Sequence, residues 1–251
     1  MKFRSFALGL MLLSATVPSS LSAQEKTGAK EGFVLKPGTA RIVLMRPSIS
    51  VASQSTGGMR EPNADWTNQA ITNLNTALRE VQSKLGNEVV PFDEEIATGD
   101  TTLMDQYGKL FGAVADSVIE YQFFAGNRLP TKKRAKTFEW GVGPGLAKVQ
   151  ALQNADYALF INTRDDYGST GRKMLQIVGM FAGVGISSGV HMGSAGLIDL
   201  KTGELVWLNA DRQMGGDVRT AEGAAKRVRQ LLEGFPGKPA DVAEVAQAGT
   251  K

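Results

Sequence analysis

The sequence Tyr-Ala-Leu-Phe-Ile-Asn-Thr, residues 157–163, decides the fold that we predict for this chain. Its centre is apolar at consecutive positions, so both faces of a strand built from it would be buried. Strands of this kind lie inside parallel or mixed sheets whose two faces are covered by helices. The stretch therefore predicts an internal strand of an α/β sheet.

Shorter strands and amphipathic helices precede this central strand. Residues 41–45 and 88–92 are short apolar runs, closed by Pro47 and Pro91, and each predicts a strand. Residues 48–62 are rich in Ser, Gly and Pro and are predicted as a loop. Apolar side chains recur at three- and four-residue steps over 63–85 and again from 101 to about 124, which predicts two helices.

A hairpin and a last helix follow the central strand. Residues 194–200 and 205–210 are predicted to pair across Lys-Thr-Gly-Glu, where Gly203 supplies the positive φ of the turn. A final helix is predicted over 220–232, because its apolar residues fall on one face and Gly234 and Pro236 follow it. The hairpin must be antiparallel, whereas helices between the early strands favour parallel pairing.

These elements predict one α/β domain over residues 39–236. We expect a mixed sheet of about five strands with helices packed on it, ending in a C-terminal β-hairpin and helix. Residues 24–38 are predicted as a flexible lead-in, and residues 237–251 as a disordered tail.

The first 23 residues have the pattern of a secretory signal peptide. Lys2 and Arg4 precede an apolar run over 6–13, and small residues lead to Ala23. We expect cleavage near Ala23 and a periplasmic mature protein. The chain contains no cysteine, so we expect neither a lipoprotein nor disulfides nor thiolate chemistry.

Charge and glycine spacing argue against nucleic acids and nucleotides as ligands. Removal of Lys2 and Arg4 with the signal peptide lowers the formal net charge by two, from +3 to +1. A nearly neutral chain has no global electrostatic attraction to nucleic acid. The glycines at 183, 185 and 189 lead into a predicted strand, whereas a dinucleotide loop leads into a helix. We therefore expect no cofactor.

The segment 174–195 is uncharged, rich in glycine and methionine, and unlike its surroundings. Its glycine and hydroxyl content argues against a membrane-spanning helix. Two interpretations remain open. The segment is either an ordered insertion packed beside the sheet, or an exposed apolar surface that contacts a partner or a bilayer.

Two carboxylates follow the central strand, at the edge where α/β sheets place binding sites. Three roles are open to Asp165 and Asp166: they bind a cation, perform acid–base chemistry, or lie in a solvated turn. His191 is the one histidine of the chain, and it would act as a general base only with one of these carboxylates beside it. No metal site is expected from a single histidine.

The candidate partner-binding surface combines the loop after the central strand with the glycine-rich segment. Its residues are Arg164, Asp165, Asp166, Tyr167, Met180, Phe181, Val184, Gly185, Ile186 and His191.

Three sequence features together resemble a group of bacterial cell-envelope α/β proteins. They are Ala155-Asp-Tyr before a Gly-rich stretch, the hairpin Ile-Asp-Leu-Lys-Thr-Gly-Glu-Leu-Val-Trp over 198–207, and a last helix ending at Phe235-Pro236. The chain is similar in these features to the TolB amino-terminal domain, the curli-secretion protein and the lipoprotein activators of peptidoglycan synthases. The resemblance implies a non-enzymatic envelope module that works through protein contacts, and it implies no catalytic residue.

The function expected from the sequence is therefore that of an exported, non-enzymatic cell-envelope protein that binds or assembles partners. The expected partner is an envelope protein or the inner face of the outer membrane, and homo-oligomerisation is compatible with this role. Two alternatives remain: a soluble periplasmic protein that binds a small ligand, and a hydrolase that uses Asp165, Asp166 and His191.

Overall fold

The computed structural model describes residues 25–97, 99–123 and 137–238. The predicted signal peptide and nearly all of the predicted disordered tail lie outside the described residues.

A mixed sheet forms the centre of the molecule, and it contains nine strands in the described part of the chain. The strands are β1 (Glu25–Ala29), β2 (Arg41–Leu44), β3 (Ser48–Gln54), β4 (Arg60–Pro62), β5 (Glu88–Pro91), β6 (Trp140–Gly141), β7 (Tyr157–Gly168), β8 (Gly189–Asp199) and β9 (Glu204–Asp211). The main strand order is β1-β9-β8-β7-β2-β5, with β3 beside β7, β4 beside β3 and β6 beside β9.

The longest strand, β7, organises this sheet. It is antiparallel to β8 on one side. On its other side it is parallel first to β2 and then to β3, which continues along the same edge after Pro47. The predicted parallel pairing of the early strands and the antiparallel hairpin β8–β9 are both confirmed. Gly203 at the hairpin turn has a φ of +73°, as its position requires.

Four α-helices flank the sheet in the described part of the chain: α1 (Ala64–Gln82), α2 (Thr101–Val118), α3 (Thr170–Phe181) and α4 (Ala221–Leu231). The helices α1 and α4 cover one face, where Leu74 and Val228 pack against Ile161 of β7. The helix α2 and the short 3₁₀ turns over 144–152 cover the other face, where Phe111 stacks on Phe160. The predicted α/β class is therefore confirmed.

The expected number of about five strands is too low, because short polar strands were missed. The strand β1 lies in the stretch predicted as a flexible lead-in, and β3 and β4 lie in the predicted loop over 48–62. Each has few apolar residues, because each lies at the margin of the sheet or exposes one face. β1 and β4 form mainly through ladder hydrogen bonds to β9 and β3, whereas β3 pairs with β7 and also buries Val51 and Ala52.

Candidate functional site

The helix α3 stands at the end of the β7–β8 ribbon, outside both helical layers. Its N-cap is Ser169, whose hydroxyl accepts a hydrogen bond from the backbone N–H of Arg172 at 3.2 Å. The helix ends at Phe181, and Gly183, two residues later, has a φ of +72°. Residues 184–188 then return to β8. We call residues 169–188 the excursion, and the adjoining ends of β7 and β8 its base. At the base of this excursion the two chain segments come so close that a Cβ on Gly168 would lie 2.1 Å from the carbonyl oxygen of Ser188.

Most of the apolar side chains of this excursion face solvent. Their exposure ranges from 38% for Leu175 to 85% for Phe181. The exposed residues are Met174, Leu175, Ile177, Val178, Met180, Phe181 and Val184. Within α3 only Gly179 is buried, because the backbone carbonyl of Val184 and the side chain of Ile186 lie over it. We call this set of seven exposed residues the α3 surface.

Segment 174–195 divides into two parts, and neither is an insertion packed beside the sheet, because the second part belongs to the strand β8 itself. Residues 174–185 are exposed apart from Gly179, whereas residues 194 and 195 are buried in β8. Of the residues predicted to bind a partner, Met180, Phe181, Val184 and Gly185 are exposed here, and Ile186 is half-buried. No helix in the described part of the chain is long and apolar enough to cross a membrane.

The residues Arg164 to Tyr167 were predicted as a loop, but they lie inside β7 and alternate between its faces. Asp165 therefore points toward α4, and Asp166 points to the opposite face. The two carboxylates form no joint site, and neither solvates a turn, since each is almost completely buried. Adjacent residues of a strand cannot act on one ligand from the same side.

The carboxylate of Asp165 is held by a fully buried arginine. Arg227 Nη2 lies 2.7 Å from Asp165 Oδ1, and Arg227 Nη1 lies 2.8 Å from Asp165 Oδ2. Thr163 donates to the same carboxylate at 3.0 Å, and His191 Nδ1 lies 2.8 Å from Oδ1. Burial alone would raise the pKa of Asp165. The hydrogen bonds from His191 and Arg227 and the charge of Arg227 outweigh it, so that this pKa lies below its ordinary value.

Asp166 is paired on the other face of the sheet. Arg60 Nε lies 2.7 Å from Asp166 Oδ1, and Arg164 Nη2 lies 2.7 Å from Oδ2. Arg60 belongs to β4, so this ion pair ties the β3–β4 hairpin to the outer part of β7. Both ion pairs thus stiffen the ribbon that carries α3.

An aromatic stack completes the base on the α4 side. The ring of Tyr167 lies 4.8 Å from that of His191, and the guanidinium of Arg219 lies 3.7 Å over Tyr167 and 4.5 Å over Trp66. Asp217 accepts hydrogen bonds from Arg219, which is the main reason that its pKa lies below its ordinary value. Burial raises the pKa of Tyr167, and the nearby charge of Asp165 raises it further.

His191 was considered as the neighbour of a carboxylate, and it lies beside Asp165. Arg227 and Arg219, the cationic partners of Asp165 and Tyr167, were missed. Arg227 could have been found, because it shares the inward face of α4 with Ala224, Val228 and Leu231. A charged residue at such a position requires a buried counter-charge. Arg219 and Trp66 gave no such signal, since they lie in different parts of the chain and meet only in the fold.

The chemistry open to this network is limited by its burial. Of the three residues proposed for a hydrolase, Asp165 is 0% and Asp166 2% exposed, and only His191 reaches solvent. The described residues contain no group of three or more His, Cys, Asp or Glu side chains able to hold a metal ion. The network is well suited to positioning β7, β8 and α4 relative to one another.

No family model matches the chain, and no curated protein matches it. Among solved structures the chain is similar to the PelC dodecamer from Paraburkholderia phytofirmans, at 14% identity and a TM-score of 0.35. The match covers 85% of this chain and 98% of that one. A point variant of the same dodecamer matches at 15% identity and a TM-score of 0.33, with the same coverage. At these scores the likeness supports no functional inference, and the resemblance to the TolB and curli-secretion group stays a prediction.

Proposed function

We propose that this protein is an exported, non-enzymatic envelope module that docks on another envelope component through the α3 surface. The observation that carries the proposal is the exposure of the seven apolar side chains of that surface in one excursion of the chain. Contiguous exposed apolar patches of this kind mark contact sites in folded proteins.

The energetics of the α3 surface support a binding role. Full burial of a large apolar side chain is worth about 1.5–3 kcal/mol. The seven side chains of the α3 surface realise only part of this gain in the isolated chain, because each is between 38% and 85% exposed. Burial of all seven would be worth at most about 10–21 kcal/mol, against an association cost of about 4–15 kcal/mol, so a partner must cover most of the α3 surface to bind stably.

The base of α3 supports the same role, because a docking surface is more effective on a rigid support. The buried pair Asp165–Arg227 and the paired Asp166 fix the strands from which α3 extends. Binding then requires little ordering of the chain that carries the surface.

The small-ligand alternative requires a pocket for its ligand. Two pockets of the described part measure about 280 Å³ and 230 Å³, near and below the lower end of the roughly 300–1,000 Å³ typical of small-molecule sites.

The experiment that tests the proposal is fractionation of cells that express the full-length chain, with a wash of the envelope pellet in buffer of neutral pH. We expect the wild type to stay in the washed pellet and Val184→Asp to be released, with the melting temperature unchanged. Val34→Asp is the matched control, since Val34 is 76% exposed but lies outside the α3 surface.

Two results would contradict the proposal. One is equal retention of the wild type and Val184→Asp, which would mean that the α3 surface holds nothing. The other is a collapse of the melting temperature in Val184→Asp, which would mean that this residue belongs to the core.

A further inference from the structure

Five exposed apolar side chains of α3 form one continuous face, whereas the exposed Met180 lies on the polar side between Lys173 and Gln176. At about 100° per residue, the side chains of Met174, Leu175, Ile177, Val178 and Phe181 fall within an arc of about 160°. Lys173 and Gln176 lie on the remaining exposed side, and the buried Gly179 faces the return loop. A helix with a wide apolar face and a polar edge is the form that lies in the plane of a membrane interface.

The charged side chains of the segment that carries this face have one sign. Residues 167–198 contain Arg172 and Lys173 and no Asp or Glu. Arg172 is engaged with the backbone carbonyl of Ser187 at 2.8 Å, so it anchors the helix to the return loop. Lys173 is exposed and has no ion-pair partner among the described residues. A free cation beside an apolar face is complementary to an anionic lipid surface.

The backbone at the exposed end of α3 is compatible with an apolar surrounding. The N–H of Val184 donates to the carbonyl of Gly179 at 2.7 Å, and the N–H of Gly183 donates to that of Met180 at 3.2 Å. The end beside Phe181 thus leaves few unpaired backbone groups, which matters because such groups are costly in lipid.

The length of α3 favours binding to one leaflet of a bilayer over spanning both. Twelve residues give a helix about 18 Å long, well short of the roughly 30 Å of a bilayer's hydrocarbon core. The polar Ser187 and Ser188 of the return loop keep the base of the excursion outside the hydrocarbon.

We propose that the α3 surface docks on a lipid leaflet with anionic headgroups. The face that carries Val178 and Phe181 lies among the acyl chains, and Lys173 lies at the headgroups. This inference rests on the proposed function, since it names the component that the same surface contacts.

Flotation of the purified full chain with protein-free vesicles tests the inference. We expect the wild type and Val34→Asp to float with phosphatidylcholine vesicles that contain phosphatidylglycerol. Val178→Asp should lower the bound fraction by roughly tenfold or more, because it removes one buried valine and adds a charge at the acyl chains. Lys173→Glu should weaken binding to these vesicles and leave the weaker binding to pure phosphatidylcholine unchanged, since only the former depends on charge.

A second variant and folding measurements show whether the first variant loses binding only because it is misfolded. Phe181→Ser should lose vesicle binding as well, and circular dichroism and thermal unfolding should show both variants folded. Val34 is a suitable control position, because the neighbouring Phe33 packs on Tyr157 at the opposite end of β7 from α3.

The remaining outcomes separate this inference from the proposed function. If the wild type does not float although Val184→Asp still abolishes envelope retention, the lipid inference is wrong and the proposed function stands. If light scattering shows an oligomer that Val178→Asp dissociates, and no vesicle binding, the occupant is a second copy of the chain and the lipid inference is again wrong. If neither flotation nor envelope retention depends on α3, both proposals fail.

Discussion

The α3 surface and the network at its base differ in the kind of residue that each one buries. The surface exposes methionine, valine and phenylalanine to solvent, whereas the base buries Asp165 and Arg227 completely. Each arrangement is unfavourable when considered alone. Under the proposed function, the buried charges fix the shape of the base and the exposed apolar groups are available for contact.

The comparison predicts that changes in the base alter stability and that changes in the α3 surface alter binding. The two classes of variant should therefore separate cleanly when unfolding and docking are measured side by side. A variant that changes both the stability and the binding would mean that the two regions are energetically coupled.

The largest effect is expected for Arg227→Met. This change leaves Asp165 buried without its cation, which typically costs about 3–5 kcal/mol. Chemical denaturation should show this loss, while Arg229→Met, an exposed position on the same helix, should stay close to wild type. A loss no greater than that of the control would show that the pair does not stabilise the base.

Acidification should weaken the base through the same carboxylate. The pKa of Asp165 in the folded protein lies below 3.8, so its stabilising effect is present above that value and is lost as the pH falls toward the folded pKa. One such group changes the free energy of unfolding by at most about 1.4 kcal/mol per pH unit.

Urea unfolding at a series of acidic pH values checks this expectation. The wild type should lose stability more steeply than Asp165→Asn, whose remaining slope reports other carboxylates such as Asp217. Exposed Asp105→Asn should keep the wild-type slope. Equal slopes for the wild type and Asp165→Asn would contradict the assignment.

A smaller effect is expected for His191→Ala. The change removes the hydrogen bond between His191 and Asp165 but leaves Asp165 paired with Arg227, so we expect a loss of about 1–2 kcal/mol. Denaturation of this variant beside Arg227→Met measures the difference. A loss as large as that of Arg227→Met would mean that the histidine holds the base as strongly as the arginine. The hydrolase alternative differs in predicting that this variant also abolishes an enzymatic activity.

The smallest effect on stability is expected for Phe181→Ser. Phe181 is 85% exposed, so its replacement should change the free energy of unfolding by less than about 0.5 kcal/mol. The solubility of the purified protein should rise, because an exposed apolar group is removed. Destabilisation by more than about 1 kcal/mol would show that the α3 surface is part of the core.

The elements that the sequence predicts well are those with dense apolar patterns. β7, α1 and the β8–β9 hairpin bury enough side chains for periodicity to reveal them. By contrast, β3 was predicted as a loop, although Ser48, Ile49, Ser50 and Val51 alternate with the period of a strand. Its polar face and the glycines and prolines that follow it concealed this alternation.

The residues of the candidate site also include some that the sequence could predict and some that it could not. The apolar character of Met180, Phe181 and Val184 is a local property, so the sequence could mark them as a contact surface. The partners of Asp165 are not local, since Arg227 is separated from it by 62 residues. The division of Asp165 and Asp166 between two faces could have been predicted only if the end of β7 had been placed beyond residue 163.

The unbroken length of β7 has a mechanical consequence for a molecule held by α3. Twelve residues at about 3.3 Å each give a rod of about 40 Å that leads from the buried sheet to the base of α3. A pull on α3 along this rod would load the ladder to β3 and the ladder between β8 and β9 in shear. Many hydrogen bonds would then share the force at once, instead of opening one after another from an end. The protein should thus withstand tension along its strands better than tension across them.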